Sequence, residues 1–220
     1  MISGVFMAEQ EKDNSAEKTE KTKTKKEEIF ESLEMPELFG RYDMDEVEVT
    51  DPGLKEHINL LPVLLPHSGG AHANKRFAKD EVSLIERLIN AMMKSQGYTG
   101  KKTKSYNTVR DAFEIIHKKT DSNPVQILVQ AIENSAPKEE TTQITYGGIS
   151  VPKSVDVSPS RRLSIAIGNN AKGAVKATYK NSKSIAECLA EELMKAAKDD
   201  KNAFAVSRKE EMERMAQSAR

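Results

Sequence analysis

From residue 80 onward the apolar positions of this chain recur at helical spacing; before it they do not. Val82, Ile85, Leu88, Ile89, Met92 and Met93 fall on one face of a helix that Asp80 would cap, with Gly97 and Gly100 ending it. A second helix is expected at roughly Tyr106–Lys119, with Tyr106, Val109, Ala112, Phe113 and Ile116 on one side. In "NPVQ" at 123–126, an Asn N-cap, Pro at the first helical position and Gln three residues after the cap open a third helix. Val125, Leu128, Val129 and Ile132 share one face of it, and Pro137 marks the exit. The period then changes. β-Branched residues on both sides of Gly147-Gly148 predict a hairpin at about 141–157 with a tight turn. Two strands cannot stand alone, so the hairpin has to lean on the helices or project to a partner.

Ser158 and Pro159 are positioned to cap a fourth helix, with Leu163, Ile167 and Ala174 inward. Gly168 and Gly173 each cost it about 1 kcal/mol relative to Ala. Ser184 and Glu187 form a capping box for a fifth helix that buries Ile185, Cys188, Leu189 and Leu193. Ser207 and Glu210 repeat the box for a sixth, Arg208–Ser218, short and highly charged. The expected fold is mainly α: a bundle of about six helices at 80–220, with a protruding two-stranded β-hairpin between the third and fourth.

Upstream, residues 1–28 are nearly all Glu, Lys, Thr and small polar types, too poor in apolar surface to offset ordering; disorder is expected. Residues 29–79 offer Ile29, Phe30, Leu33, Leu38 and Phe39 and a short alternating piece at Val47–Val49. Pro52, Pro62 and Pro66 forbid long helices, which reads as an extended arm lying on a surface rather than a core. Either Met1 or Met7 could initiate the chain.

Net charge changes the picture more than composition does. The formal total is zero, yet residues 1–66 carry 8 Lys/Arg against 16 Asp/Glu and residues 67–220 carry 26 against 18. A basic body behind an acidic leader implies a polyanionic partner for the body. Cys188 is the sole cysteine, which excludes an intrachain disulfide and a Cys-based zinc site and fits a reducing compartment. No apolar run approaches the roughly 20 residues of a membrane span, and "MISGVFM" lacks the basic start of a signal peptide, so a cytoplasmic location is expected.

Catalytic and metal chemistry find little support. His57, His67 and His72 match no zinc spacing. The stretch from Asp43 begins like a calcium loop, but Glu48 stands where that loop needs Gly. Cys188 has no visible base, Ser lacks a G-x-S-x-G setting, and "HSGG" and "YGGIS" lack the Gly-Lys-Ser/Thr ending of a phosphate loop. The expectation is a non-enzymatic protein with no cofactor, no metal and no small-molecule substrate.

The cations are more informative. Lys75, Arg76 and Lys79 precede the first helix, Lys101, Lys102 and Lys104 fill the next loop, and Lys118 and Lys119 end the second helix. Lys153 lies on the hairpin, and Lys172, Lys176, Lys180 and Lys183 trail down the fourth helix. Arg161 and Arg162 are out of place, because cations in a first helical turn are disfavoured by about 0.3–1 kcal/mol each unless an anion is supplied there. A docked phosphate would supply it. Clusters spread over loops, helix ends and a hairpin suit an irregular RNA surface better than one DNA groove. The alternative is an architectural DNA binder with a β-arm.

"VSLIERLINAMM", "NPVQILVQAIENSAP", "YGGISVPKSVDVSPSRRL", "IAECLAEEL" and "KEEMERMAQSAR" also occur in an order and spacing that resemble small-subunit ribosomal protein seven, in its archaeal and eukaryal branch. "GRYDMDEVEVTDPGLKEHINLLPVLLPHSGGAHANKRF" resembles that branch's N-terminal extension, and the likeness covers about residues 38–220. The resemblance implies a helical protein with a projecting hairpin that binds small-subunit rRNA directly and nucleates the head at the 3′ major domain. It further implies neighbouring head proteins, and a place at the subunit interface near the decoding centre, mRNA and exit-site tRNA. By position it assigns RNA contact to Lys75, Arg76, Lys79, Lys101, Lys102, Lys104, the hairpin around Gly147, Gly148 and Lys153, and Arg161 with Arg162. The C-terminal ending matches at Arg208, Lys209, Arg214 and Arg220. The chain departs from relatives at Gly168–Asn170, where they often carry bulky apolar or aromatic residues. "HSGGAHANKRF" then reads as a pliable strap whose cations meet RNA phosphates, with His67 and His72 as accessories.

Overall fold

The computed structural model describes residues 37–220 apart from Leu64 and Gln96. The leader and the apolar positions Ile29, Phe30 and Leu33 lie outside the described residues. Seven α-helices are described: α1 (Pro52–Lys55), α2 (Leu84–Met92), α3 (Lys102–Thr120), α4 (Pro124–Ser135), α5 (Pro159–Thr178), α6 (Ile185–Ala197) and α7 (Phe204–Ser218). Strands β1 (Glu139–Tyr146) and β2 (Ile149–Asp156) fall between α4 and α5. The short α1, unread in the sequence, accounts for the shift from third-and-fourth to fourth-and-fifth.

α6 packs against α3, α4 and α5, while α2 rests on α5 and α3. Leu88, Ile89, Phe113, Ile116, Leu128, Ile132, Leu163, Leu189 and Leu193 meet in the core with no exposed surface. Cys188 is buried and unbridged. The close approach of α5 to α6 and α7 is set at Gly173, where a Cβ would lie 2.6 Å from Glu192 Oε1 and 3.0 Å from Phe204 Cβ. One turn earlier Asn170 is fully buried; its amide donates to Ser135 Oγ at 3.0 Å and to the Ala166 carbonyl at 2.9 Å. Asn170 thus puts a polar link to α4 inside the bundle.

The described part of the arm is not merely superficial. Leu38, Tyr42, Met44, Val47, Leu54 and Ile58 are buried in the same cluster as Phe113. Tight turns carry the arm here: the Leu38 amide donates to the Tyr42 carbonyl at 2.9 Å, and Phe39 sits at φ 57°. Phe39 then meets Tyr106 and Phe113 edge-on, with ring centres 5.2 and 6.1 Å away. The arm's backbone is satisfied by side chains of α4. Gln126 exchanges two hydrogen bonds with the Glu48 backbone, and Glu133 Oε1 accepts the Thr50 and Asp51 amides at 2.7 and 2.8 Å.

Several helix starts differ from the sequence reading. Asn123 caps α4 as expected, accepting the Val125 amide, and the Ser184–Glu187 box is complete. Asp80 does not cap α2. It lies in a 3-10 turn, Ala78–Glu81, and the helix begins after Ser83, because tertiary partners hold the Asp80 carboxylate. Ser158 precedes α5 without a side-chain bond. α7 starts at Phe204, a turn before the expected box, so Ser207 is inside the helix. Its cap comes from another helix: Glu192, 7% exposed, accepts the Ala205 amide at 3.0 Å. Burial pushes the Glu192 carboxyl pKa up, against the lowering effect of the Ala205 and Phe204 amides.

The hairpin pairs antiparallel from Glu139 with Asp156 to Tyr146 with Ile149. Gly147 and Gly148 sit at φ 57° and 87°, the two left-handed positions of a type I′ turn. Its base is clamped by the C-terminus: the Ser154 amide donates to the Ala219 carbonyl and the Lys138 amide to Glu213 Oε1. Its tip projects, leaving Ile149 70% exposed.

Candidate nucleic-acid interface

Every cation on this surface either has a carboxylate from its own chain or lacks one, and that divides the expected contact residues. The strap is fastened at one end. Ser68 donates to Glu86 from both its amide and its hydroxyl, and Lys102 Nζ reaches Glu86 Oε1 at 2.6 Å. Burial raises the Glu86 carboxyl pKa, but Lys102 and the two Ser68 donors outweigh it and leave it below the usual range. Beyond that point the strap is open. Lys75 and Arg76 are exposed, with Arg76 5.2 Å over the ring of Phe77, itself 76% exposed.

Lys101 precedes α3, and Lys102 and Lys104 belong to its first turn rather than to a loop. The helix is a turn longer than the apolar pattern indicated because Ser105 and Thr108 are buried where apolar residues were sought. Lys102 is spent on Glu86, whereas Lys101 is exposed and Lys104 stacks 4.6 Å over Tyr98.

Arg161 and Arg162 find their anions within the chain. Arg162, 12% exposed, pairs with Asp51 Oδ2 at 2.8 Å, and Arg161, 59% exposed, pairs with Glu140 at 2.8 Å. The first-turn conflict on α5 is therefore answered by carboxylates, not by an obligatory phosphate. Lys79 is exposed and donates to Ser164 Oγ at 3.0 Å, with no carboxylate paired to it. Lys209 donates to the Asn134 carbonyl at 2.8 Å and ties α7 to α4. Arg208 pairs with Glu211 at 2.5 Å, and Arg220 with Glu139.

Among the described residues, Lys75, Arg76, Lys101, Lys104, Lys153, Lys172, Lys176 and Arg214 have no carboxylate partner. Lys176 lies 4.3 Å over Phe204. Stacked cations keep their charge outward on an apolar support, an arrangement compatible with backbone phosphates. The sequence reading missed Arg87 and Lys94. Arg87 is on the buried face of α2, 4% exposed, with Nη1 3.3 Å from Asp80 and Nη2 3.0 Å from Ser164 Oγ. Its signal was present: a charged Glu-Arg pair inside the apolar run of "SLIERLINAMM".

The sequence profile described as Ribosomal protein S7p/S5e matches residues 54–220. The chain belongs to this family. It is 52% identical over 183 residues to the Small ribosomal subunit protein uS7 of Archaeoglobus fulgidus, covering 83% of this chain and 94% of that protein. The uS7 of Thermoplasma volcanium is 52% identical over 83% of this chain and its own full length. That of Methanothermobacter thermautotrophicus is 50% identical, over 83% of this chain and 98% of its own. Membership in the S7p/S5e family gives the chain a structural role in the small ribosomal subunit. The family match begins at Leu54, within α1, so α1 through α7 and the hairpin all fall essentially inside it.

Proposed function

We propose that the chain is a primary rRNA-binding protein of the small subunit. It binds the 3′ major domain of the small-subunit rRNA, nucleates assembly of the head and lies at the subunit interface near the decoding centre, mRNA and exit-site tRNA. The observation that carries this reading is the division of the cations. Arg162, Arg87 and Lys102, which tie elements of the bundle together, are neutralised by Asp51, Asp80 and Glu86. Those on the strap, the start of α3, the β2 strand and the outer side of α5 are left without carboxylates. A surface that leaves so many charges unpaired at loops and helix ends is suited to an irregular folded RNA.

The test is binding of the full chain to a 3′ major-domain transcript across a salt series. With about 6–10 phosphate contacts, affinity falls about 10³–10⁵-fold between about 50 and 200 mM salt. A flat profile overturns the reading. Duplex DNA displacing the transcript at equal concentration would favour an architectural DNA-binding role, for which the exposed Ile149 and Val151 of the hairpin supply apolar wedges.

A further inference from the structure

A cleft runs between the 3-10 turn at Ala78–Glu81, α2 and α5, and three cations line it: Lys79, Arg87 and Lys94. They come from three places in the sequence, and their charges oppose one another. Burial lowers the Lys79 pKa, and the nearby Arg87 and Lys94 charges lower it further. The carboxylate facing them is Asp80, which is already engaged by His57 Nδ1 at 2.9 Å, Ser160 Oγ at 2.8 Å and Arg87. Ser164 Oγ accepts from both Lys79 and Arg87 and donates to the Ser160 carbonyl, so it is used up as well.

Two buried polar atoms on the lining have no partner. Arg87 Nε is one, on a side chain only 4% exposed, and His72 Nδ1 is the other. Both atoms are sealed from solvent, so the donors that an incoming anion can reach are the exposed Lys79 and Lys94 ammonium groups, with the Arg87 charge behind them. The opposite wall is Ile167 and Gly168, and a Cβ at Gly168 would meet nothing within 4 Å. The glycine leaves the cleft open beside the cations.

We propose that this cleft seats one backbone phosphate of the bound RNA, gripped by Lys79 and Lys94 over Arg87, with the adjoining sugar against Ile167 and Gly168. The inference rests on the rRNA-binding reading. It differs from the strap in shape: Lys75 and Arg76 meet phosphates at an open surface, whereas here the cations stand around a cleft between α2 and α5. A phosphate seated in the cleft fixes the register of the RNA on the bundle, since one position along the backbone has to enter.

The test uses the full chain and the 3′ major-domain transcript with two variants. Lys94→Ala removes one gripping charge from an exposed position. Gly168→Leu fills the cleft without touching a cation, at a helical site with free space. Expected results are a loss of about tenfold in affinity for each, a salt slope shallower by about one for Lys94→Ala, and melting temperatures no lower than wild type. If the unmodified chain fails to bind the transcript, the rRNA reading itself falls and takes this one with it. If the unmodified chain binds and both variants keep its affinity and salt slope, the cleft proposal alone is overturned.

Discussion

Asp51 divides its carboxylate between two elements: Oδ1 accepts the Gly53 amide at 2.8 Å and caps α1, while Oδ2 accepts Arg162 Nη2 at 2.8 Å from the first turn of α5. The partners are 111 residues apart in the chain. The arm is thereby tied to the helix that follows the hairpin.

Asp51→Ala removes a cap worth about 1 kcal/mol and leaves a mostly buried guanidinium unpaired, so unfolding stability should drop by about 1–3 kcal/mol. Arg162→Ala should fall in the same range. Arg161→Ala, at 59% exposure, should change stability by less than about 0.5 kcal/mol. Denaturant midpoints measure all three. Equal losses at Arg161 and Arg162 would contradict the assignment of only one to the fold.

The two glycines of α5 should respond in opposite directions. Gly168→Ala adds a methyl group into open space on a helix and should stabilise by about 0.5–1 kcal/mol. Gly173→Ala drives a Cβ to 2.6 Å from a buried Glu192 oxygen that caps α7. It should destabilise by about 1–3 kcal/mol. Thermal melts distinguish the pair; a stabilised Gly173→Ala would mean α7 can lose its cap freely.

Acid should loosen the strap and arm through identifiable groups. In Asp80, Asp51 and Glu86 burial raises the pKa, but their hydrogen bonds and cation partners outweigh it, and each folded pKa lies below its ordinary value. A depressed carboxylate contributes stability that is fully present above the unfolded value, about 4. That stability is lost as pH falls through the folded value. The melting temperature should therefore decline below about pH 4. Asp80→Asn should flatten part of that decline; an unchanged profile would remove Asp80 from the account.

Glu86→Gln keeps the shape of the strap's anchor but removes its charge from Lys102 and weakens its hold on Ser68. Tryptic cleavage after Lys75 and Arg76 should accelerate, with a stability loss of about 1–2 kcal/mol. Unchanged cleavage would show that the strap is held elsewhere.

The bundle was legible in the pattern because helix periodicity is local. The apolar stripes of α2, α4 and α6, the Asn123 cap and the Ser184–Glu187 box depend on residues within a few positions of one another. The hairpin was legible for the same reason, since two adjacent glycines specify a type I′ turn. The arm was misread because its apolar residues follow no period; Leu38, Tyr42, Met44 and Val47 are buried by turns that only the α3 and α4 surfaces select.

Helix starts failed wherever a polar side chain had a better partner far along the chain. Asp80 could cap locally, but His57, Ser160 and Arg87 converge on it, and Glu192 caps α7 from a neighbouring helix. By itself, the sequence determined the fold class, the helix faces, the hairpin and the likeness to a ribosomal family, all of which are written in short-range order and spacing. Only the tertiary structure decided which cations remain free. A charge is neutralised by whatever the fold brings within about 4 Å of it, and for Arg162 and Arg87 those groups lie on other elements.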